Sequence, residues 1–467
     1  GYNKANDIAV QPDGKIVVIG ESGMPSSYMM SFARYNADGT LDNTFGSSGV
    51  QIHPASTYKN YGMEVELQSD GKIIAVGRIF DGSNADIVVA RLNADGSLDN
   101  TFSTDGWVVY DFPGGSTVPE AVAIQSDGKI VIGGYSGVNS DDYTLIRLNA
   151  DGSFDNTFGT AGVVTSEFGT NDSYIEDLAI QADGKIVAGG FIYDSSSFMY
   201  KMTAARYNAD GTIDSSFGTS GLVTVSAGAG NDFGIAVSIQ SDGKILLGGH
   251  TWIANSPPAL KYDLAVVRLN ANGTIDNTYG TSGVAKARII DAENYLAEME
   301  LQPDGKLVLA ASTAGLAYDF AAVRFNTDGT MDNSFGSSGI VTTDIYSGED
   351  YGKNIVLQPD GKILMCGYTY TATYSDYVVV RYNGDVTGIS EDNDMTLSLR
   401  PNPATDFVTI ETNESARIEV LDISGKTIFS SVAEGPVNID VSGFSKGLYF
   451  VNVQSGNNSN VSKLIVE

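Results

Sequence analysis

Gln125-Ser126-Asp127-Gly128-Lys129-Ile130-Val131-Ile132-Gly133-Gly134 is one copy of a stretch that the chain repeats seven times. The glycine of its Asp-Gly-Lys triplet recurs at Gly14, Gly71, Gly128, Gly184, Gly243, Gly305 and Gly361. Successive copies are 56 to 62 residues apart. A period this regular is the signature of a repeat architecture, in which each repeat is one supersecondary unit.

Two further phrases keep the same period. An arginine follows each triplet by about 20 residues, at Arg34, Arg91, Arg147, Arg206, Arg268, Arg324 and Arg381. Six of the seven repeats then carry a phrase such as Asp42-Asn43-Thr44-Phe45-Gly46. The seventh repeat stops after Asn383 without it.

One repeat contains four predicted strands. Residues 120–125 alternate apolar and polar side chains and meet Asp127-Gly128, a strong hairpin-turn pair. Strands follow at 129–134, 143–148 and 162–165, and no segment shows a 3.6-residue apolar period. A four-stranded sheet of this size cannot bury both faces, whereas seven arranged radially cover one another. The sequence therefore predicts an all-β fold, a seven-bladed β-propeller over residues 1–383.

The repeated polar residues have structural explanations. Asp42 and its equivalents are expected to cap a short turn that presses Phe45 and its equivalents inward. The lysine after each Asp-Gly pair and the arginine after each third strand are expected to pair within a blade. A protein of this size usually has one catalytic site, whereas these residues recur from repeat to repeat, which indicates a structural role.

Ring closure at the last repeat is the open question of this architecture. The first repeat enters with a strand at about Asp7, and the seventh lacks its fourth strand. Closure therefore needs residues before Asp7 or upstream of Gly1. The start at Gly1, without Met, suggests a processed or trimmed chain.

Composition limits the possible partners. The net charge is −30 and the pI is near 4.2, which argues against nucleic acid because phosphate binding needs basic patches. The single cysteine, Cys366, lies on a second strand and is expected to be a small core residue. No run of 18 apolar residues is present, so no transmembrane helix is predicted.

The loops between second and third strands vary among repeats and all emerge on one rim. They are rich in Tyr, Ser and Asn, and the fifth is the longest. Aromatic side chains with hydrogen-bonding neighbours suit sugar or protein binding. The candidate ligand-binding residues are Trp252, Tyr262, Tyr193 and Tyr135. The alternative is that these aromatic side chains pack on their own loops.

A search for catalytic or metal-binding patterns gives little. His53 and His250 share no motif, and a lone histidine is more often structural. No zinc-protease, serine-hydrolase or phosphate-loop motif occurs, and the paired glycines lie on strands. No catalytic residue, cofactor or metal site is therefore assigned. Calcium at turns such as residues 38–43 is a minor alternative to turn capping, because the Asp-x-Asp-x-Asp-Gly spacing is absent.

A second domain follows the repeats. Residues 384–395 form an acidic linker without periodicity. Residues 396–467 contain short alternating strands separated by turn pairs, which predicts a small, immunoglobulin-like β-sandwich.

The second domain contains a series of specific sequence motifs. The opening Pro401-Asn402-Pro403-Ala404, the turn 421–426 with Asp422, Gly425 and Lys426, the strand from Gly447 with Tyr449, and the ending with Lys463 follow in order. Together they resemble the C-terminal sorting domain of type IX secretion cargo, although Leu399-Arg400 stands where an aromatic residue is commoner. The propeller units resemble the delta-60 family of repeats. The first resemblance implies export from a Bacteroidetes-type bacterium to the cell surface or medium, with recognition by a translocon and an outer-membrane β-barrel shuttle.

Three functions compete for the propeller. The leading hypothesis is a non-enzymatic surface or secreted protein that binds a glycan or a protein. The rival is a secreted carbohydrate-active enzyme with a unique cluster of Asp, Glu, Arg and Tyr in the channel. The third is a purely structural surface element.

Overall fold

The computed structural model describes the whole chain except residues 25, 56–57, 113–114, 138–139, 169–171, 254–260, 316, 347, 372–373, 385–397, 401–403, 412–414, 422–425, 456–457 and 467. The chain forms two compact units, Gly1–Asp385 and Val386–Glu467. The described residues contain strands and turns but no helix, and hence no helix that could cross a membrane.

The first unit consists of seven antiparallel sheets, numbered here as blades one to seven. The strands of blades one to three are β1 Tyr2–Val10, β2 Ile16–Met24, β3 Ser27–Tyr35, β4 Val50–His53, β5 Lys59–Leu67, β6 Ile73–Phe80, β7 Ala85–Leu92, β8 Trp107–Tyr110, β9 Ser116–Ile124, β10 Ile130–Gly137, β11 Asp142–Leu148 and β12 Val163–Ser166. Those of blades four to seven are β13 Ser173–Ile180, β14 Ile186–Asp194, β15 Met199–Tyr207, β16 Leu222–Val225, β17 Asp232–Ile239, β18 Ile245–Trp252, β19 Tyr262–Leu269, β20 Val284–Ala287, β21 Asn294–Leu301, β22 Leu307–Ala314, β23 Tyr318–Phe325, β24 Ile340–Thr343, β25 Asp350–Leu357, β26 Ile363–Tyr370 and β27 Ser375–Tyr382. In each blade the strands pair in chain order.

The apolar core confirms a closed ring of seven blades. Seven clusters of buried side chains fill the spaces between neighbouring blades, and each draws its main residues from two adjacent sheets. The cluster that includes Ala5, Ile16, Leu364 and Cys366 joins blade seven to blade one. Cys366 is fully buried there, as expected for a small core residue. Each sheet therefore buries both faces, which a single blade could not do.

The repeated turns have the backbone that the sequence predicts. The glycine of every Asp-Gly-Lys triplet has a φ between 81° and 86°, a conformation that a Cβ would penalise. In the turn after the third strand, Asp42 Oδ1 accepts hydrogen bonds from the Thr44 amide at 3.0 Å and the Thr44 hydroxyl at 2.7 Å. Phe45, which follows, is fully buried. The capping role predicted for Asp42 is confirmed.

Each repeated arginine lies between two blades. Arg268 in blade five donates from Nε to Asp276 Oδ2 at 2.9 Å, and its guanidinium carbon lies 4.5 Å from the centre of the Tyr279 ring. Its Nη1 donates at 2.8 Å to the carbonyl of Thr327 in blade six. The lysine of the triplet, Lys244, lies 3.7 Å from the same aspartate oxygen. The predicted pairing within a blade is confirmed, and the arginine also bonds the next blade.

Blade seven has three strands among the described residues. Strand β1 begins at Tyr2 rather than at about Asp7, and it is the innermost strand of blade one. Its contact with blade seven includes one parallel bridge, between Tyr2 and Ser375. Arg381 donates to the carbonyl of Ala37 at 2.7 Å and so repeats the bond between blades at the ring's junction. The residues before Asp7 thus help to close the ring without forming a fourth strand on blade seven.

The second unit is a small β-sandwich. One sheet contains β28 Ser398–Arg400, β29 Phe407–Glu411 and β32 Val437–Asp440; the other contains β30 Ser415–Leu421, β31 Thr427–Glu434, β33 Gly447–Ser455 and β34 Asn458–Val466. One apolar cluster, which includes Val408, Ile418 and Val451, lies between the two sheets. The predicted linker is mostly outside the described residues.

Candidate functional site

A β-bulge in the first strand of every blade shapes the central channel. The bulged residues are Asn6, Met63, Glu120, Glu176, Ile235, Ala297 and Lys353. All seven line one cavity of about 380 Å³. A bulge breaks the alternation of side chains along a strand. The residue after the bulge therefore also reaches the channel in several blades, as Glu64, Glu298 and Asn354 do.

The residues after the bulges connect adjacent blades. The buried Asp7 carboxylate accepts hydrogen bonds of 2.6 Å from its neighbour Ile8 and from the amide of Val65 in blade two. Asp177 in blade four makes the same pair of bonds, the second to Val237 in blade five. These carboxylates satisfy backbone donors that the bulges leave without a partner in the sheet.

The channel carboxyl groups hold protons more strongly than exposed ones. Burial raises the pKa of Glu66, Glu300 and Glu120 to about 7, and that of Asp7 to about 6. Burial and the neighbouring Asp7 raise the pKa of Glu64 well above its ordinary value. The cause is that a charged carboxylate loses hydration among protein atoms and other acids.

The same effects raise the pKa values of the remaining channel acids. Burial raises the pKa of Asp177 to about 7. For Glu176 the causes are burial and then Glu120, and for Glu298 they are burial and then Asp177. A large share of these groups therefore carries a proton near neutral pH, so that the channel can donate as well as accept hydrogen bonds.

Cationic side chains lie on one side of the channel mouth. Lys4, Arg78 and Lys353 belong to blades one, two and seven, and all three act electrostatically on the buried Glu21. Lys353 contacts the channel solvent, yet the protein atoms around it lower its pKa. Arg78 lies 5.0 Å from the centre of the Tyr61 ring, and Lys4 lies 5.0 Å from that of Tyr368.

Aromatic side chains surround the rest of the mouth. They lie two residues before the bulge on first strands, at the paired positions or two residues beyond them on second strands, and at or near the starts of third strands. We call the following set of rings in mutual contact the aromatic belt: Tyr135, Tyr174, Phe191, Tyr193, Tyr200, Phe233, His250, Tyr262, Tyr295, Tyr318, Tyr351, Tyr368 and Tyr370. Neighbouring centroids are 4.8 to 6.2 Å apart, so the belt is continuous from blade three to blade seven.

The belt borders both the solvent and the channel. Tyr295 and Tyr351 line the cavity itself, and most belt side chains are half-buried. Tyr318 donates a hydrogen bond of 2.6 Å to Glu293, and its ring stacks on Tyr351 at 4.9 Å. The belt therefore offers rigid ring faces at the rim that carries the variable loops.

The four candidate ligand-binding residues fall in two environments. Tyr135, Tyr193 and Tyr262 belong to the belt, where their nearest ring partners are 4.8 to 5.3 Å away. Trp252 ends strand β18, is half-buried and packs against Gly230, where an added Cβ would lie 2.8 Å from the indole. Most of the fifth loop, residues 254–260, lies outside the described residues.

The two histidines are buried. His53 Nε2 lies 2.9 Å from the carbonyl oxygen of Gly96, and the imidazole sits between Phe32 and Trp107. His250 is part of the belt, and burial lowers its pKa to about 3, so the imidazole is neutral. In the turn considered for calcium, Asp38 Oδ1 accepts bonds from both the amide and the hydroxyl of Thr40, which favours the turn-capping explanation.

Sequence reasoning missed the channel acids and the continuity of the belt. Each channel acid occurs at a position that is not acidic in every repeat: the bulged position, for example, is Glu in blades three and four but Ile in blade five. An alignment of the repeats shows the channel acids and the first-strand aromatic residues as the positions that differ from one repeat to another.

The landmarks of the sorting-domain resemblance are partly visible in the sandwich. Gly447 begins strand β33 with a φ of 151°, and the buried Tyr449 donates from its hydroxyl to the Ser445 carbonyl at 2.8 Å. Lys426 is exposed directly before β31, and Lys463 lies in β34. Pro401, Asn402, Pro403, Asp422 and Gly425 lie outside the described residues.

Several solved structures show a distant similarity to the chain. A protein of unknown function from Dyadobacter fermentans is 11% identical, with a TM-score of 0.41 and coverage of 81% of this chain and 94% of that one. The β-propeller domain of the Trilobed protease from Pyrococcus furiosus is 10% identical, with a TM-score of 0.42 and coverage of 82% and 95%. A polysaccharide lyase, PL25 ulvan lyase, is 11% identical, with a TM-score of 0.48 and coverage of 82% and 95%. A search of curated proteins finds no significant match.

Two family models match the sequence. The "Secretion system C-terminal sorting domain" covers residues 398–467, which indicates export by type IX secretion to the cell surface or the extracellular space. The "Domain of unknown function (DUF5122) beta-propeller" matches seven times, at residues 11–45, 68–102, 125–158, 181–217, 240–279, 302–335 and 358–385. The chain belongs to this beta-propeller family and is a secreted cargo that carries a type IX sorting domain at its C-terminus.

Proposed function

We propose that the propeller binds a neutral glycan chain at the mouth of its central channel and that binding, without catalysis, is its role outside the cell. The aromatic belt is the observation that carries this proposal. Sugar rings present flat faces of C–H groups edged by hydroxyls, and tyrosine offers a rigid apolar face with a polar tip.

The channel acids supply matching hydrogen-bond groups. A protonated carboxyl group donates one hydrogen bond and accepts others, as a sugar hydroxyl does. Because burial raises the pKa of Glu120, which lines the channel, to about 7, such a group is available there near neutral pH. Apolar faces with a few convergent polar groups are the usual composition of a small-ligand site.

Charge favours a neutral ligand over a polyanion. The chain carries 57 acidic against 27 basic side chains, so that its net charge is −30. An acidic polysaccharide would meet this field along most of its length, with Lys4, Arg78 and Lys353 compensating on one side only.

The binding proposal is tested by measuring the affinity of the intact chain for neutral oligosaccharides. Tyr174→Ala combined with Tyr351→Ala should weaken the binding of any captured neutral glycan at least tenfold, since two ring faces are lost. The matched control is Ile275→Ala, because Ile275 is exposed in a turn at the opposite rim. Unchanged affinity in the double variant would remove the belt from the binding site.

A carbohydrate-active enzyme is the second candidate, and one pair of residues favours it. Glu120 and Glu176 occupy the bulges of adjacent blades and interact electrostatically, and a carboxyl with a pKa near 7 suits a general acid. Glycoside hydrolysis uses two carboxyl groups, a protonated one as the acid and an ionised one as the base or nucleophile. If a bound glycan is cleaved by the intact chain and Glu120→Gln or Glu176→Gln stops the cleavage, the enzymatic function replaces the non-enzymatic one. Binding without new reducing or unsaturated ends supports the proposal.

We also infer that residues 396–467 are recognised by a type IX translocon and by an outer-membrane β-barrel shuttle. The sorting domain at 398–467 supports this. Deletion of residues 396–467 should retain the protein inside the cell, and affinity capture from the native envelope with the intact chain should recover a barrel protein. Secretion of the truncated chain would refute the inference. If neither glycans nor proteins bind the propeller, a purely structural surface role becomes the better account.

A further inference from the structure

Three carboxylates meet between blades six and seven, away from the channel. Asp319 is on the third strand of blade six, Asp344 directly follows the fourth strand, and Asp350 begins the first strand of blade seven. One carboxylate oxygen from each lies within 4.8 Å of the others. These atoms are close enough to share one metal ion.

One of the three carboxylates has an oxygen without a partner among the residues that the structure describes. Asp350 is fully buried; its Oδ2 accepts the Ile345 amide at 2.6 Å, whereas Oδ1 accepts no hydrogen bond. Its cross-strand neighbour, Thr369, also has a buried hydroxyl without a partner. In blade five the equivalent Asp232 and Thr251 bond each other at 2.5 Å. A buried anionic oxygen is costly unless a hydrogen-bond donor or a cation meets it.

At the equivalent three positions between neighbouring blades, a basic side chain compensates the charge of the acid. Between blades five and six they are Asp263, Arg288 and Asn294, and Arg288 binds both oxygens of Asp263 at 2.7 and 2.9 Å. Between blades four and five, Lys201 acts electrostatically on Asp232. Between blades six and seven an aspartate stands where Arg288 would be, so three acids meet and none of the three positions supplies a cation.

We propose that Asp319, Asp344 and Asp350 bind one Ca²⁺ ion, which ties blade six to blade seven. Carboxylate oxygens are the hard ligands that Ca²⁺ takes, whereas Mg²⁺ demands a stricter octahedron and retains its water. The ion would also fix Tyr318 and Tyr351, the belt residues adjacent to two of the ligands.

The test is calorimetric titration of the intact, chelator-stripped chain with CaCl₂ in 150 mM NaCl. We expect one saturable site per chain with a Kd on the order of 10⁻⁴ to 10⁻³ M, the range of extracellular calcium modules. Asp344→Asn changes an exposed residue and should weaken this binding at least tenfold. The control is Asp111→Asn, at the equivalent position after blade two, where the third position is Thr117. It should leave the affinity unchanged.

A second variant separates a metal site from a merely acidic patch. Asp344→Arg recreates the arrangement of Arg288 with Asp263, so it should abolish Ca²⁺ binding while making the melting temperature independent of Ca²⁺. In the unaltered chain, Ca²⁺ should raise the melting temperature. Absence of saturable binding, or binding that survives both Asp344→Asn and Asp344→Arg, would overturn the proposal.

Discussion

Asp332→Asn tests the reasoning that the repeated ion pairs hold the blades. Asp332 Oδ2 receives Arg324 Nε at 2.8 Å and lies 2.9 Å from Lys306 Nζ, while Oδ1 accepts the amide and hydroxyl of Ser334 at 3.0 and 2.6 Å. Arg324 is only 1% exposed. Although burial opposes ionisation, the bonds from Ser334 and Lys306 hold the pKa of Asp332 well below its usual range. The substitution removes the carboxylate charge that faces this buried guanidinium.

The expected cost follows from that burial. Removing one partner of a buried ion pair costs about 3–5 kcal/mol. The unfolding entropy of a unit of 385 residues is about 0.8 kcal/mol/K, if it unfolds cooperatively. The melting temperature should therefore fall by about 4–6 °C.

The assay is thermal unfolding of the intact chain followed by circular dichroism, with Asp328→Asn as the matched control. Asp328 caps an exposed turn, where its Oδ1 accepts the Thr330 amide at 2.9 Å. Blade five already has Asn272 at that position, making the same bond to Thr274 at 3.1 Å, so the control should melt within about 1 °C of the unaltered protein. Equal melting temperatures for Asp332→Asn and the control would refute the view that these buried pairs stabilise the ring.

Two further predictions concern the channel and its bulges. Glu66 keeps its proton up to about pH 7 in the folded chain but loses it near pH 4.5 when unfolded, so its contribution is fully present below pH 4.5 and is lost as the pH rises to 7. Between pH 5 and 7 the unfolding free energy of Glu66→Gln should fall less steeply, by at most about 1.4 kcal/mol per pH unit, and by less where channel water screens the half-buried group. The free energy is measured by denaturant titration at each pH. The same pH dependence in the variant and the unaltered chain would contradict the raised pKa. Gly249→Ala should lower the melting temperature far more than the control Gly315→Ala. An added Cβ at Gly249 would lie 1.8 Å from the Phe233 carbonyl oxygen, whereas at Gly315 its nearest contact is 3.5 Å away. Similar melting temperatures for the two variants would show that the bulge can relax.

The sequence was sufficient for the architecture because the relevant signals are repeated. A hairpin glycine such as Gly128 must have positive φ in every blade, and an acid such as Asp42 must cap every turn, so each signal appears six or seven times. The predicted strand bounds agree with the observed ones to within a few residues; β9, for example, begins at Ser116 instead of the predicted Glu120. The seven predicted blades and the sandwich are confirmed.

The candidate site could not be predicted in the same way because its residues do not repeat. A bulge turns two consecutive side chains towards the channel, as with Lys353 and Asn354, and alternation along a strand gives no warning of this. The belt combines residues from strands that are distant in sequence, such as Tyr174 and Phe233, so loop composition indicated the rim but not the ring contacts. The arginine bonds between blades were missed for a related reason: their acceptors are backbone carbonyls, which leave no mark in the sequence.

Binding of the intact chain to an array of neutral and uronic-acid-containing glycans tests the central claim most directly, with the Tyr174→Ala and Tyr351→Ala double variant and the Ile275→Ala control beside it. The account predicts that at least one neutral glycan is captured, that the control retains this signal and that the double variant loses it. An array on which only acidic glycans bind, on which nothing binds, or on which the double variant binds as well as the control would contradict it.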